Sequence, residues 1–218
     1  MVPSVDGRIV TSGWKLSPKE LAEYEKTAAT FDADAWLIGR VSMEPYAGKA
    51  KVPARKPGAA AIARTDFIAR EGAESYAVAL DPSGKLTWRA GDIDGEAVIT
   101  VLSEAVSDDY LAFLQRRGVS YLFGGAKELD LPLVLEKLRS LFGIKTLLLE
   151  GGGKINGTFL DAGLIDELSL VYAPVADGSV GTPSLFDSDK ARGPARRLRL
   201  LSVEKRRSHM LWVRYRVE

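Results

Sequence analysis

Short apolar runs alternate along this chain with stretches of helical periodicity, and no other feature narrows the possible folds as far. The runs Ala35–Gly39, Tyr76–Leu80, 97–102, 119–123, 145–150 and 166–172 each have the length of a strand. Residues 18–30, 107–117, Leu131–Phe142 and 154–162 space their apolar positions at three and four instead, as helices do. Strands joined by helical crossovers pair in parallel, and the nearly continuous apolar run 97–102 fits a sheet covered on both faces. The chain ends differently. Residues 198–203 and 210–217 alternate, with Arg206, Arg207, Ser208 and His209 between them, the pattern of an antiparallel hairpin. The order predicts an α/β fold: a mostly parallel central sheet flanked by helices, with a C-terminal antiparallel hairpin.

Helix limits are marked by side chains. Ser17 precedes Pro18, and Glu20 follows three residues after Ser17, a capping-box spacing with proline at the first helical position. Leu21, Tyr24, Ala28 and Phe31 then recur at helical spacing and predict the buried face. Ser107 with Asp108 and Asp109 opens a second helix, which Gly118 closes. Asp81-Pro82-Ser83-Gly84 reads as a turn. Residues 45–58, rich in proline, glycine and basic side chains, read as a long mobile surface loop with a solvated charge run. No composition shift marks a boundary, so residues 1–218 are expected to be one domain.

Composition removes whole classes of function. Basic and acidic side chains nearly cancel at a formal +1, whereas a nucleic-acid binder carries a basic excess, even allowing for the basic stretch 49–70. With no cysteine there is no disulfide, thiolate nucleophile or cysteine-held metal. The single histidine, His209, is expected exposed and inert in the hairpin turn, and no metal site is expected. No apolar run approaches the roughly 20 residues of a membrane span, and residues 1–8 are not a signal segment. The expected setting is cytoplasmic, with neither a membrane nor a nucleic-acid partner.

The most informative motif is Glu150-Gly151-Gly152-Gly153, where a strand runs through three glycines into a helix. Such a turn leaves helix N-terminal N–H groups free to meet a phosphate and lets a ligand approach the backbone; it is otherwise a tight strand-to-helix turn. It is not a dinucleotide fingerprint, because Asn156 stands where a third spaced glycine would be. Glu150 ends an apolar strand, a costly place for a carboxylate unless it is paired or used. Gly39-Arg40-Val41-Ser42 is a second strand-to-helix junction, able to hold phosphate through Arg40 and Ser42 or to be an ordinary cap. Ser103, at the end of the 97–102 strand, is a third and weaker position of this kind. Asp6, in Ser4-Val5-Asp6-Gly7-Arg8, is a carboxylate before a glycine turn, and Trp14 just beyond it is a candidate pocket wall.

Three blocks together resemble the C-terminal reductase domain of RibD, a branch of the dihydrofolate-reductase-like superfamily. They are Ser4-Val5-Asp6-Gly7-Arg8, Trp36-Leu37-Ile38-Gly39-Arg40-Val41-Ser42, and Leu149-Glu150-Gly151-Gly152-Gly153 continuing through Ile155-Asn156-Gly157 to Leu168. The resemblance implies a dihydrofolate-reductase-like sheet, NADPH as hydride donor and a homodimer. It implies that Gly151, Gly152, Gly153, Lys154 and Ile155 hold the cofactor diphosphate. Gly39, Arg40, Ser42 and Ser103 would meet its 2′-phosphate side, and Asp6 and Glu150 would face the substrate. A raised proton affinity at Asp6 would suit a general acid. The implied activity is reduction of a C=O or C=N bond in a pyrimidine-like substrate, as with 5-amino-6-(5-phosphoribosylamino)uracil in riboflavin synthesis. A reductase of a pteridine or other small heterocycle and a non-catalytic NADP-binding module are the alternatives. Relatives place an apolar strand ahead of the Ser-x-Asp-Gly block, so the first strand is expected upstream of residue 1 or absent.

Overall fold

The computed structural model describes residues 1–49, 51–188 and 195–218. The chain divides into two compact units: a mid-chain unit, residues 33–149, and a terminal unit made of residues 1–32 and 150–218.

The mid-chain unit is built on parallel strands. β1 (Ala35–Gly39), β2 (Tyr76–Leu80), β4 (Glu96–Leu102) and β5 (Ser120–Phe123) pair in parallel as β1–β2, β2–β4 and β4–β5. A two-residue strand, β3 (Asp92–Ile93), runs antiparallel to the start of β4, too short for any periodicity to reveal. β6 (Leu147–Gly151) lies outermost beyond β1 and carries the chain into the terminal unit. As the outer strand it is only half-buried over Leu147–Glu150, despite its apolar sequence. The helices are α2 (Arg40–Met43), α3 (Asp108–Arg117) and α4 (Leu131–Phe142). α3 starts and stops where its caps dictate: the Ser107 side chain accepts from the Tyr110 N–H, and Gly118 adopts the left-handed conformation at φ +66°. Ile38, Met43, Trp88, Leu102, Leu111 and Tyr121 are among the side chains that close the core.

The long connection from α2 to β2 is anchored to the rest of the unit at Arg55, Arg64, Asp66 and Phe67. Arg55 and Arg64 both pair with Asp108, at 3.0 and 2.7 Å, in the first turn of α3. Phe67 exchanges backbone hydrogen bonds with Tyr121, and Asp66 bridges Lys137 and the Phe123 N–H. Two cations of the basic stretch 49–70 are thus committed within the unit, which removes them from any polyanion.

The terminal unit holds α1 (Pro18–Ala29), α5 (Gly153–Asp161) and three antiparallel strands, β7 (Glu167–Tyr172), β8 (Leu198–Lys205) and β9 (Leu211–Val217), in the order β7-β9-β8. The expected hairpin is present, but it pairs with β7 in a sheet of its own rather than edging the parallel one. Met1 and Pro3 run along β7, their carbonyls accepting from the Val171 and Ala173 N–H groups. The expected capping box at Ser17 and Glu20 is complete. The expected buried face of α1 is met in part: Tyr24, Ala28 and Phe31 are half-buried, whereas Leu21 is 49% exposed and Glu23 and Thr27 are each 2% exposed. Glu23 is buried because Arg206, far along the chain, reaches it at 3.1 Å and Lys26 at 3.0 Å. No helix of the described residues is long and apolar enough to cross a membrane.

Candidate functional site

In the terminal unit, the chain leaves β6 through Glu150 and turns at Gly151, whose φ of +98° disfavours any other residue. Gly152 is the N-cap of α5 in extended conformation, with no side chain capping the helix and no acidic residue in its first turn. Lys154 is exposed and Ile155 half-buried at the same end. An uncapped N-terminus of a nine-residue helix holds donor groups and a positive partial charge, the elements of an anion site. Glu150 is half-buried beside Met1, whose amine burial lowers to about 6 against the opposing pull of the Glu150 carboxylate.

The other glycines of α5 serve packing. A Cβ on Gly153 would stand 2.2 Å from the Ser184 carbonyl, and one on Gly157 would stand 2.0 Å from the Asp187 carbonyl. Asn156, 3% exposed, donates to the Leu185 carbonyl at 2.9 Å. The segment 184–187 is therefore seated on one side of α5 and brings the Asp187 carboxylate against Gly153, while Gly151 is buried against Met1 and Asn156 and Gly152 is half-buried. Nothing in the residues 184–187 themselves announced this; only the four-residue spacing of Gly153 and Gly157 hinted at a close approach.

Asp6 corrects an expectation. Its carboxylate accepts from the Ser4 hydroxyl at 2.7 Å and from the backbone N–H groups of Asp177 and Gly178 at 2.9 Å each. Those donors, led by the Asp177 N–H, hold the exposed carboxyl far below the ordinary carboxylate range, so its proton affinity is lowered rather than raised. Asp6 accepts hydrogen bonds that tie the N-terminal turn to the 177–179 turn. Trp14, half-buried, donates its Nε1–H to Asp177 at 2.5 Å and packs on the core formed by Val171, Ala173, Met210 and Trp212.

In the mid-chain unit, register sets Gly39, Leu80 and Val101 side by side at the C-terminal ends of three parallel strands. The next residues are Arg40, Asp81 and Leu102, with Ser103 following. Gly39 is the N-cap of α2, which is a single turn of four residues. Arg40 pairs with Glu44 one turn on, and Ser42 is exposed. Ser103 is 4% exposed and donates its hydroxyl to the Pro82 carbonyl at 2.7 Å, so it braces the 81–84 turn. Asp81 was not singled out in the sequence, although it ends an apolar strand just as Glu150 does. It is fully buried, and one oxygen accepts from the Lys85 and Leu86 N–H groups at 2.7 Å while the other has no partner. Burial raises its pKa, and the charge of Arg40 opposes that rise. A carboxylate thus stands between the two groups expected to receive a phosphate.

Among the described residues, no cluster of acidic or histidine side chains could hold a metal ion. His209 lies in the hairpin turn at φ +62°, exposed.

Comparison with known proteins places these features. The chain matches, over 32% identity and 118 residues, the 2,5-diamino-6-ribosylamino-4(3H)-pyrimidinone 5′-phosphate reductase of Methanothermobacter thermautotrophicus, covering 54% of this chain and 52% of that protein. It is 32% identical over 100 residues to the riboflavin biosynthesis protein RibD of Bacillus amyloliquefaciens, 44% of this chain and 26% of that one. The matched region spans about half the length of such curated relatives, or less. A pyrimidine reductase-like protein from Corynebacterium diphtheriae has the same fold, with a TM-score of 0.69 at 20% identity over 100% of this chain and 89% of that one. RibD of Acinetobacter baumannii gives 0.67 at 20% identity, over 100% and 56%. The profile of the RibD C-terminal domain runs through residues 1–212, from the N-terminal turn through the glycine turn to the start of β9, and the chain belongs to that family.

Proposed function

We propose that residues 1–218 act as an NADPH-dependent reductase that delivers hydride to a C=O or C=N bond of a pyrimidine-like substrate. The observation that carries this reading is the uncapped N-terminus of α5 behind Gly151 and Gly152, in a chain of this family. The relatives named as pyrimidinone phosphate reductases point to a ribosylaminopyrimidine phosphate as first substrate. When bound, the dinucleotide supplies the hydride.

The rest falls to this chain's own side chains. The donors of Gly152, Gly153, Lys154 and Ile155, uncapped by any side chain, are assigned to a diphosphate, with the Asp187 carboxylate against the other face of Gly153. Arg40 is the cation assigned to the 2′-phosphate. Ser42 is a secondary donor, and Ser103 a brace for the 81–84 turn. Glu150, half-buried at the head of the glycine turn, is the carboxylate assigned to proton handling at the substrate. Asp6, held ionised, can accept a hydrogen bond from a heterocycle N–H but has no proton to give at neutral pH. A homodimer in the cytoplasm is the proposed assembly and setting.

The test is turnover of the ribosylaminopyrimidine phosphate with NADPH, followed at the absorbance of the reduced nicotinamide. Turnover confined to pterins would move the substrate to the alternative class. NADPH binding with no turnover of either would favour a binding module.

A further inference from the structure

Among the described residues, the sheet of the terminal unit ends on an outer strand rich in exposed apolar side chains. β8 pairs with β9 on one side and, among the described residues, with no strand on the other. Register assigns its faces. Leu198, Leu200, Val203 and, at the strand's end, Lys205 lie opposite Val217, Tyr215, Val213 and Leu211, and so share a face. Arg199 and Glu204 lie opposite Arg216 and Trp212, on the other face. The bulge between Leu200 and Ser202 absorbs Leu201 and sets this division. Toward β7 the first face is covered, with Leu170 6% and Val213 8% exposed. Toward the edge it is open: Leu198 is 43% exposed, Leu200 54%, Val203 54% and Leu211 44%. An apolar patch beside an unpaired row of strand N–H and C=O groups is a surface for pairing with another strand.

The sequence of β8 selects the partner. Laid antiparallel against a second copy, with the two-fold axis between Leu201 and Ser202, Arg199 falls opposite the partner's Glu204 and Leu200 opposite the partner's Val203. Both pairs lie on matching faces, because the bulge has already put Leu200 and Val203 on one side and Arg199 and Glu204 on the other. Opposite charges and facing apolar side chains are the favourable cross-strand pairs. A parallel, in-register arrangement would set Arg199 against Arg199 and Glu204 against Glu204, which is unfavourable. Within one copy these charges are only lightly held, Arg199 by Glu218 at 3.8 Å and Glu204 by Arg206 at 3.2 Å, all largely exposed except Arg206. We infer that β8 is the edge through which two copies of this chain join, antiparallel and two-fold symmetric, into one continuous sheet. This rests on the homodimer proposed above and names its surface; self-complementarity of this kind is what an isologous interface requires.

The experiment is sedimentation of the full chain over a range of concentrations, for the wild type, Arg199→Glu, Glu204→Arg and the double variant. A dimer is expected for the wild type, and either single exchange should raise its dissociation constant about tenfold or more by placing like charges opposite each other twice. The double exchange restores the pairing and should return the constant toward the wild-type value. Val203→Lys, which leaves those charges alone, should also give monomer while the unfolding curve stays cooperative. A monomeric wild type would overturn both the dimer and its surface. A dimer indifferent to the exchanges and to Val203→Lys would overturn the β8 edge alone and assign the dimer to another surface.

Discussion

Two strand-to-helix junctions in this chain look alike as sequence and offer an anion very different things. Gly39-Arg40 and Gly151-Gly152-Gly153 each end a strand and begin a helix without a side-chain cap. At the first, the helix is one turn long, its arginine already has Glu44 as a partner, and buried Asp81 stands next in register. At the second, the helix runs nine residues with no acid of its own in the first turn, and the chain's own loop, with the Asp187 carboxylate, seats on Gly153 and Gly157 rather than on Gly152. Glycine at a strand end permits an anion site, but the length of the helix and the charges beside it decide whether one forms. The first junction can contribute a side-chain cation; the second can contribute backbone.

That contrast can be broken in several places. The largest effect is expected at Glu150. Glu150→Gln keeps the size and removes the ionisable group, so turnover should fall about a hundredfold or more while NADPH still binds. Loss of binding alone, with turnover intact at saturation, would place Glu150 outside the chemistry. Gly157→Ala tests the claim that α5's later glycines pack: with backbone 2.0 Å from the new Cβ, denaturant unfolding should register a loss of about 1–3 kcal/mol. Gly13→Ala, which meets nothing within 4 Å, is the control and should leave the midpoint nearly unchanged.

At the first junction, Arg40→Ala should cost NADPH about ten- to a hundredfold in affinity and leave NADH nearly untouched, since a charge-assisted bond to phosphate is worth about 1.5–3 kcal/mol. An equal loss for both nucleotides would sink the 2′-phosphate role. The smallest effect is at Asp6. Its folded-state carboxyl titrates below the ordinary value of about 3.9, so the stability it contributes is full above that pH and is lost as pH falls toward the folded value. Asp6→Asn should therefore flatten part of the acid limb below about pH 4 in a thermal-unfolding series. A parallel shift at all pH values would mean that the carboxylate's charge is not what matters.

Much of the framework was legible because it is local. Ser17 with Glu20, Ser107 with Gly118, and Leu131–Phe142 before Gly143 mark helix ends through bonds made within a few residues. The parallel strands were legible as apolar runs. What was not legible depends on partners far along the chain. Glu23 lies on the buried side of α1, paired with Arg206, while Leu21 is exposed. Asp6 is held ionised by Asp177 and Gly178, which no spacing near Asp6 could announce. The hairpin's sheet membership turned on pairing with β7, and periodicity gives a strand its faces but not its neighbour. Asp81 was the one avoidable omission: a carboxylate closing an apolar strand is the same signal that marked Glu150.

The central claim is that the Gly151–Gly152 side of α5 receives the diphosphate of NADPH. Calorimetric titration of NADPH into the wild type and into Gly152→Asp tests it most directly. Aspartate is a favoured N-cap, so the variant should keep its unfolding midpoint while placing a carboxylate where the diphosphate is assigned. The account predicts binding to the wild type and at least a tenfold loss in the variant. Undiminished affinity in Gly152→Asp, or no binding by a folded wild type, would contradict it.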